Sequence, residues 1–413
     1  MFRFLHAADI HLDSPLRGLS RYDGAPVERF RTATREALGN LIDAAIDRQV
    51  AFLIIAGDLY DGDWRDYNTG IFFIHAMGRL RDAGIPVYLL RGNHDAESQI
   101  TSSLTLPDNV FLFSTRKAQT FRRDDIGVAL HGRGYPHRDV TENLVPDYPE
   151  PLPGLINIGV LHTCLEGDAA HAPYAPCSVP ELSAKGYDYW ALGHVHVAKH
   201  LHRDPFIVFP GNLQGRNIRE TGAKGAVLVT CDDGRVAGAE PIALDVVRWA
   251  RVTADVSGAS SVTEVLEAAR DEIERAASEA DGRTLALRVR LEGRAPVHAQ
   301  LLSGEDQLKA EVRAIAAGLG QDVAWVEKIE IRTASERDPE RERERADAMG
   351  ELRRMLADSP ADATLAEGIH ENLKTLFAKL PSELRADVRE RSVEDVIRDA
   401  VAYLTDRLES PRS

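Results

Sequence analysis

The 413-residue sequence has only three cysteines, Cys164, Cys177 and Cys231, an odd number without C-x-x-C spacing. That argues against a disulfide framework and against a thiolate zinc site, and it fits a reducing compartment. No stretch approaches 18 consecutive apolar residues, so no membrane-spanning helix is expected. The opening Met-Phe-Arg-Phe-Leu-His-Ala-Ala-Asp puts charge where a secretion signal needs an apolar run. The expectation is a soluble cytoplasmic protein with no membrane contact.

Positive charge is in deficit as well. Fifty Lys and Arg face 65 Asp and Glu, for a net charge of −15, and an acidic chain is a poor first candidate for nucleic-acid binding. The deficit is evenly spread. Residues 1–245 hold 24 basic and 31 acidic groups (−7) and the remainder 26 and 34 (−8), so no basic tail hides behind the average. Histidine is nearly missing from the second half: 12 of 14 lie before residue 203, leaving His298 and His370. Chemistry is therefore expected in the first half.

What is present is ordinary for a globular protein. With 44% hydrophobic and 28% charged residues, the chain can bury a core and is long enough for two or three domains. Short apolar runs alternate with amphipathic stretches, as in a sheet flanked by helices. Strands are expected at Phe2–Ala8, Phe52–Ala56, Val87–Leu90, Val110–Phe113, Gly127–Leu130, Ile156–Leu161, Tyr189–Leu192, Phe206–Phe209 and Ala226–Thr230, and helices over Pro26–Gln49 and Ile71–Ala83. The later runs have less helix between them, which suggests two packed sheets. From residue 246 to 335 the pattern is strand, helix, strand, helix, strand, a small α/β domain. Residues 336–413 begin with a charge-dense stretch in which Glu340 with Arg343 and Glu342 with Arg345 stand at helical i,i+3 spacing. That region reads as a solvated helical face or as a linker to partner-binding helices.

Five clusters follow apolar runs: Asp9-Ile-His11, Gly57-Asp58-Leu-Tyr-Asp61, Gly92-Asn93-His94-Asp95, Leu161-His162-Thr163 and Gly193-His194-Val-His196. In extended chain residues i and i+2 face the same way, so Asp9 with His11, and His194 with His196, can address one ion. Glycines beside Asp58, Asn93 and His194 let the backbone turn sharply at the strand ends, where open α/β sheets bind ligands. Carboxylate, imidazole and amide together suit hard to borderline divalent metals such as Mn, Fe or Zn. Each cluster alone has a plain reading as a surface pair, a turn or a structural histidine; five in order do not.

In order and spacing these clusters resemble the calcineurin-like metallophosphoesterases, whose signature is D-x-H, G-D-x-x-D/H, G-N-H-D/E, a lone His and G-H-x-H. The resemblance covers roughly residues 1–230. Phe-Leu-His-Ala-Ala-Asp-Ile-His-Leu-Asp-Ser-Pro-Leu, Ala-Gly-Asp-Leu-Tyr-Asp and Arg-Gly-Asn-His-Asp look like the SbcD-type DNA repair nucleases, and Leu-Asp-Ser-Pro-Leu-x-Gly like their YhaO-like branch. The resemblance implies a metallophosphoesterase fold of two packed mixed β-sheets flanked by helices, with a small α/β capping domain and a helical C-terminal extension. It implies domains at 1–245, 246–335 and 336–413. It implies two divalent ions, Mn2+ first, with Fe, Zn or Mg as alternatives: Asp9, His11 and His196 on one, Asn93, His162 and His194 on the other, and Asp58 bridging. His94 is then the catalytic acid and Asp61 its orienting partner. Two cations would lower the pKa of a shared water, giving a hydroxide that attacks phosphorus in line.

The function implied is a DNA repair exonuclease or endonuclease with DNA as substrate, an SbcC- or YhaN-like ABC-type ATPase as partner and a homodimer as a further option. The apolar face within Pro26–Gln49 is a candidate dimer surface and equally a candidate core face. The alternatives are a phosphatase or phosphodiesterase acting on a nucleotide or another small phosphoester, which the acidity favours, and a non-catalytic subunit of an ATPase complex. Asn212 stands where these nucleases usually carry Ser in a phosphate-contacting turn, so it reads either as that contact or as an ordinary turn. Tyr60 reads as packing. His131, His137, His171, His200 and His202 match no position of the family and read as exposed or structural.

Overall fold

The structure, a computed structural model, describes residues 1–14, 26–61, 67–97, 105–165, 174–320 and 322–336, with isolated positions between 351 and 400. The readings of Pro15 and Leu16, of His171 and of most of the charged C-terminal region lie outside the described residues.

Strands covered on both faces need mostly apolar side chains; β2 (Leu53–Ala56) and β3 (Val87–Leu90) supply them at every position, and β1 (Phe2–Ala7) at all but Arg3 and His6. Leu5, Leu53, Ile55, Val87 and Leu89 point to one side. There they pack against α1 (Val27–Asp47) and α2 (Tyr67–Asp82) through Leu38, Leu41, Ile42, Phe73, Met77 and Leu80. The apolar stripe of α1 is thus core. Phe4, Ile54, Ala56, Tyr88 and Leu90 point to the other side, into a core shared with a second sheet.

The single turn α3 (Asn93–Glu97) follows β3, and β4 (Val110–Leu112) completes one edge of the first sheet. With β11 (Gly225–Asp232) and β12 (Arg235–Ala243) its order is β12-β11-β1-β2-β3-β4. β1 to β4 are parallel, while β11 and β12 run antiparallel.

The second sheet has the order β5-β6-β7-β8-β10-β9. It is built from β5 (Gln119–Arg123), β6 (Val128–Gly132), β7 (Ile156–His162), β8 (Tyr189–Gly193), β9 (Lys199–Arg203) and β10 (Phe206–Phe209). In β8 the alternation is explicit: Tyr189 and Ala191 enter the core between the sheets, whereas Trp190 and Leu192 enter the outer core with Tyr135, Tyr148 and Leu182. Leu182 lies on α4 (Val179–Ala184), which starts at a Ser178–Glu181 capping box. The fold is the expected pair of mixed sheets flanked by helices. Three strands go beyond the sequence reading: β5, β9 and β12, all at sheet edges and largely half-buried or exposed, so they lack the apolar run by which the others were found.

Contacts divide the chain into a first compact unit reaching Trp249 and a second from Ala250 onward. The second holds the sheet β13-β14-β15 (Val247–Asp255, Thr284–Arg294, Ala324–Ala334), with β14 and β15 parallel. One face carries Val252, Ala254, Leu285, Leu287, Val289, Val326 and Ile329. It packs against α5 (Val262–Glu279), α6 (His298–Ser303) and α7 (Glu305–Gly318) through Val265, Ile273, Leu301, Leu308 and Val312. β14 and β15 also hold a buried bidentate pair, Arg288 Nε and Nη2 each 2.9 Å from a carboxylate oxygen of Glu327.

Candidate metal centre

The five clusters sit at the C-terminal ends of β1, β2 and β3 in one sheet and of β7 and β8 in the other. Loop-to-loop hydrogen bonds fix their spacing. Asp9 N–H donates to Gly57 O (3.0 Å) and His11 N–H to Asp58 O (3.0 Å). His194 N–H donates to the Asp9 carboxylate (3.0 Å), and His94 N–H to Asp58 Oδ1 (3.0 Å). The glycines are needed for close approach. A Cβ on Gly92 would come 2.8 Å from Asp58 N, and one on Gly193 would come 2.8 Å from His162 Nδ1. Asp9, His11, Asp58 and His194 all adopt positive φ, at 50°, 45°, 53° and 100°, which is strained backbone for residues with a Cβ.

The side chains converge in three overlapping groups. Ligand-type atoms of Asp9, His11 and His196 lie within 4.8 Å of one another; so do those of His11, Asp58 and His94, and those of Asp58, His162 and His194. Asn93 Oδ1 is 3.0 Å from His162 Nε2. Asp9, His11, Asp58, Asn93, His162 and His194 are buried. His94 is the more open, with about a third of its side chain exposed (35%). Asp61 stands between two rings. Its Oδ1 is 2.7 Å from His11 Nδ1 but 3.5 Å from His94 Nδ1, so its hydrogen bond goes to His11, and Ser14 Oγ donates to its other oxygen.

The donor set fits divalent ions. Three rings turn Nδ1 outward to an acceptor: His11 to Asp61, His162 to Ala56 O (2.9 Å) and His196 to Glu220 Oε1 (2.8 Å). A carbonyl or carboxylate oxygen can only accept, so Nδ1 carries a proton and Nε2 is the atom turned inward, the arrangement metal-binding histidines use; at His162 that Nε2 faces the acceptor oxygens of Asn93 and Asp58, whose place beside it an ion would share. His11 Nε2 and His196 Nε2 then face each other at 3.3 Å, a repulsive contact that a shared cation makes favourable, since both nitrogens can lie about 2.1 Å from one ion at that separation.

Charge follows the same logic. Burial opposes ionisation of Asp58, but the imidazoles of His162, His11 and His94 hold it well below the usual carboxylate range. Burial likewise opposes charge on His162, yet Asp58 raises its pKa above the ordinary imidazole value. Burial, with Arg216 second, lowers that of His11.

Further residues brace the site from behind the ligands. Asp95 is buried and accepts from Leu59 N (3.2 Å), Tyr60 N (3.0 Å) and Gly92 N (3.0 Å), tying the loop after β2 to the loop after β3. Burial, reinforced by the charge of Asp58, raises its pKa. Tyr135 Oη donates to His162 O (2.6 Å) and Lys224 Nζ to His196 O (2.7 Å). Asn212 is fully buried and pairs with Ala8 in an isolated bridge, so it is part of the frame behind Asp9. Tyr60 packs in the core beside α2. His131 hydrogen-bonds Thr120 and Asn157, while His137, His200 and His202 are exposed.

Residues 2–198 match the family described as Calcineurin-like phosphoesterase, and residues 249–334 the family described as Metallophosphoesterase YhaO, middle domain. The uncharacterized metallophosphoesterase YhaO of Bacillus subtilis is 34% identical over 297 residues, 71% of this chain and 72% of that protein. The DNA double-strand break repair protein Mre11 of Methanopyrus kandleri is 24% identical over 274 residues, 60% of this chain and 58% of that one. Among solved structures, a dimetal phosphatase from Danio rerio covers 59% of this chain and 97% of its own at 12% identity and a TM-score of 0.36.

Proposed function

The chain belongs to the YhaO-like calcineurin-type metallophosphoesterases, and from that membership we propose that it is a dinuclear-metal phosphodiesterase that hydrolyses DNA. The carrying observation is the convergence of all five strand-end clusters, with Nε2 of His11, His162 and His196 turned inward. Support for DNA comes from the relatives named for double-strand break repair.

Asp9, His11 and His196 would hold one ion, Asn93, His162 and His194 would hold the other, and Asp58 lies within reach of both groups. The ions, when bound, supply Lewis-acid activation of water and neutralise phosphate charge; Mn2+ is the proposed metal. The chain's own residues do the rest. Asp61, Glu220 and the Ala56 carbonyl each hold Nδ1 of a ligand ring, so that Nε2 is the atom turned toward the ion site. His94, partly open to solvent beside Asp58, delivers a proton to the leaving oxygen. The acidity of the chain is no obstacle at the site: two divalent ions add +4, taking residues 1–245 from −7 to about −3.

An SbcC- or YhaN-like ATPase completes this reading as partner of residues 336–413. Co-purification of that ATPase with the full chain, lost when residues 336–413 are removed, supports it; retention of the ATPase after truncation speaks against it.

The deciding experiment offers 5′- and 3′-labelled linear duplex and single-stranded DNA beside cyclic nucleotides and p-nitrophenyl esters, with Mn2+, Mg2+ and Zn2+ compared. Cleaved DNA supports the proposal. Fast turnover of small esters with intact DNA overturns it in favour of the small-phosphoester reading, which the net charge of −15 favours. In the same assay His94→Ala should keep both ions and lose roughly 10²- to 10⁴-fold in rate, whereas Asp58→Ala should lose metal. Parental cleavage rates in His94→Ala remove the acid assignment.

A further inference from the structure

The segment from Gly211 to Lys224 surrounds His196 with charge that no ligand pattern in the sequence explains. Its centre is Glu220, which is only 7% exposed. Oε1 of Glu220 lies 2.8 Å from His196 Nδ1 and 3.0 Å from Arg216 Nη2. Oε2 accepts from Arg216 N (2.7 Å) and Asn212 Nδ2 (2.9 Å). Burial works against this charge, but Arg216 and His196 keep the carboxyl well below its ordinary range.

His196 Nδ1 has two competitors. Glu220 Oε1 can only accept from it; the Arg216 guanidinium, 3.3 Å away at Nη2, can only donate to it. If Arg216 won, Nδ1 would be unprotonated and would face a carboxylate lone pair at 2.8 Å, while the proton moved to Nε2, the atom aimed at His11 and Asp9. The shorter, charge-assisted bond decides for Glu220. Arg216 is then held by Glu220, with Nη1 3.7 Å from Asp61 Oδ1. Asp61 plays the same part toward His11, so the two rings that face each other at 3.3 Å are each fixed by their own carboxylate.

We propose that Glu220 is a positioning residue that locks His196 in the Nδ1-protonated tautomer and so makes it able to bind one of the two ions. This rests on the dinuclear reading above, and it is specific to one ion.

The test compares the full-length protein with its Glu220→Gln variant. A glutamine keeps the shape but can turn its NH2 toward Nδ1, which favours the wrong tautomer. Nitrogen-15 imidazole spectra of the metal-free wild-type protein at pH 8 should show His196 protonated at Nδ1. Glu220→Gln should show it protonated at Nε2, and titration with Mn2+ should show one of two binding events weakened 10- to 100-fold. Arg216→Gln should keep both binding events, because Glu220 still holds the ring; losing one there overturns the assignment to Glu220. Two undiminished binding events in Glu220→Gln overturn the proposal and leave the dinuclear reading intact. A wild-type protein that binds no ion overturns the dinuclear reading itself. If Glu220→Gln does not fold, an Nε2-protonated His196 in the wild-type spectrum overturns the proposal without it.

Discussion

Buried histidines in the first unit divide by what faces them. His162 faces Asp58 and Asn93, whereas His6 lies 3.0 Å from Tyr189 Oη and 3.1 Å from Leu192 O. With only neutral partners, burial pushes the pKa of His6 down to about 3. In the unfolded chain the ring titrates near 6.5, so between pH 6.5 and 3 the unfolded state binds the extra proton and stability falls as pH falls. The contribution is present in full above pH 6.5, and the stability lost reaches a few kcal/mol by pH 3. Urea unfolding under chelation should show a shallower loss in His6→Gln than in wild type across that window; parallel curves would mean that His6 is not held neutral.

Site residues were legible where they cluster in sequence after an apolar run, as Asp58 does after Ile54-Ile55-Ala56-Gly57. Glu220 and Arg216 were not, because their signal is a distance in space, 24 and 20 positions along the chain from the ring they serve. Asp61 is legible in the second cluster, but spacing cannot say that it stands 2.7 Å from His11 and 3.5 Å from His94.

Elements were legible in proportion to their burial. β3 and β10 begin and end where their apolar runs do. β9, Lys-His-Leu-His-Arg, offers no run at all and is a strand because β10 pairs with it. α6 is six residues long, too short for helical periodicity to register. Within the second unit the Arg288–Glu327 pair crosses from β14 to β15 where the register shifts. Glu327→Gln removes the two close charge-assisted bonds of Arg288 and leaves it Glu330, 3.7 Å from Nη1, so it should cost roughly 1–3 kcal/mol, while Arg288→Met with Glu327→Leu should be closer to neutral. Denaturation of both variants measures this; equal losses in the two would show that packing rather than charge holds the strands.

For the whole molecule, the two packed sheets were legible in the short apolar runs before residue 245, where the strand and helix pattern changes. Among the described residues no helix is long and apolar enough to cross a membrane. Each proposed ion draws ligands from both sheets of the first unit: Asp9 and His11 with His196, and Asn93 with His162 and His194. Ions that bind only the folded state add about 2.7 kcal/mol at a hundredfold excess over Kd. Chelation should therefore raise hydrogen exchange at the C-terminal ends of β1, β2, β7 and β8 and leave β14 and β15 unchanged. Unchanged exchange at those strand ends would remove the ions from the account of stability.

The left-handed backbone at Asp9, His11, Asp58 and His194 has a consequence for protein engineering. Each such residue costs about 1–3 kcal/mol, and glycine would relieve the strain. A redesign guided by stability alone would therefore select these four positions for replacement and obtain a sturdier protein without its metal centre. Any thermostabilised version of this enzyme should be built with those four positions held fixed.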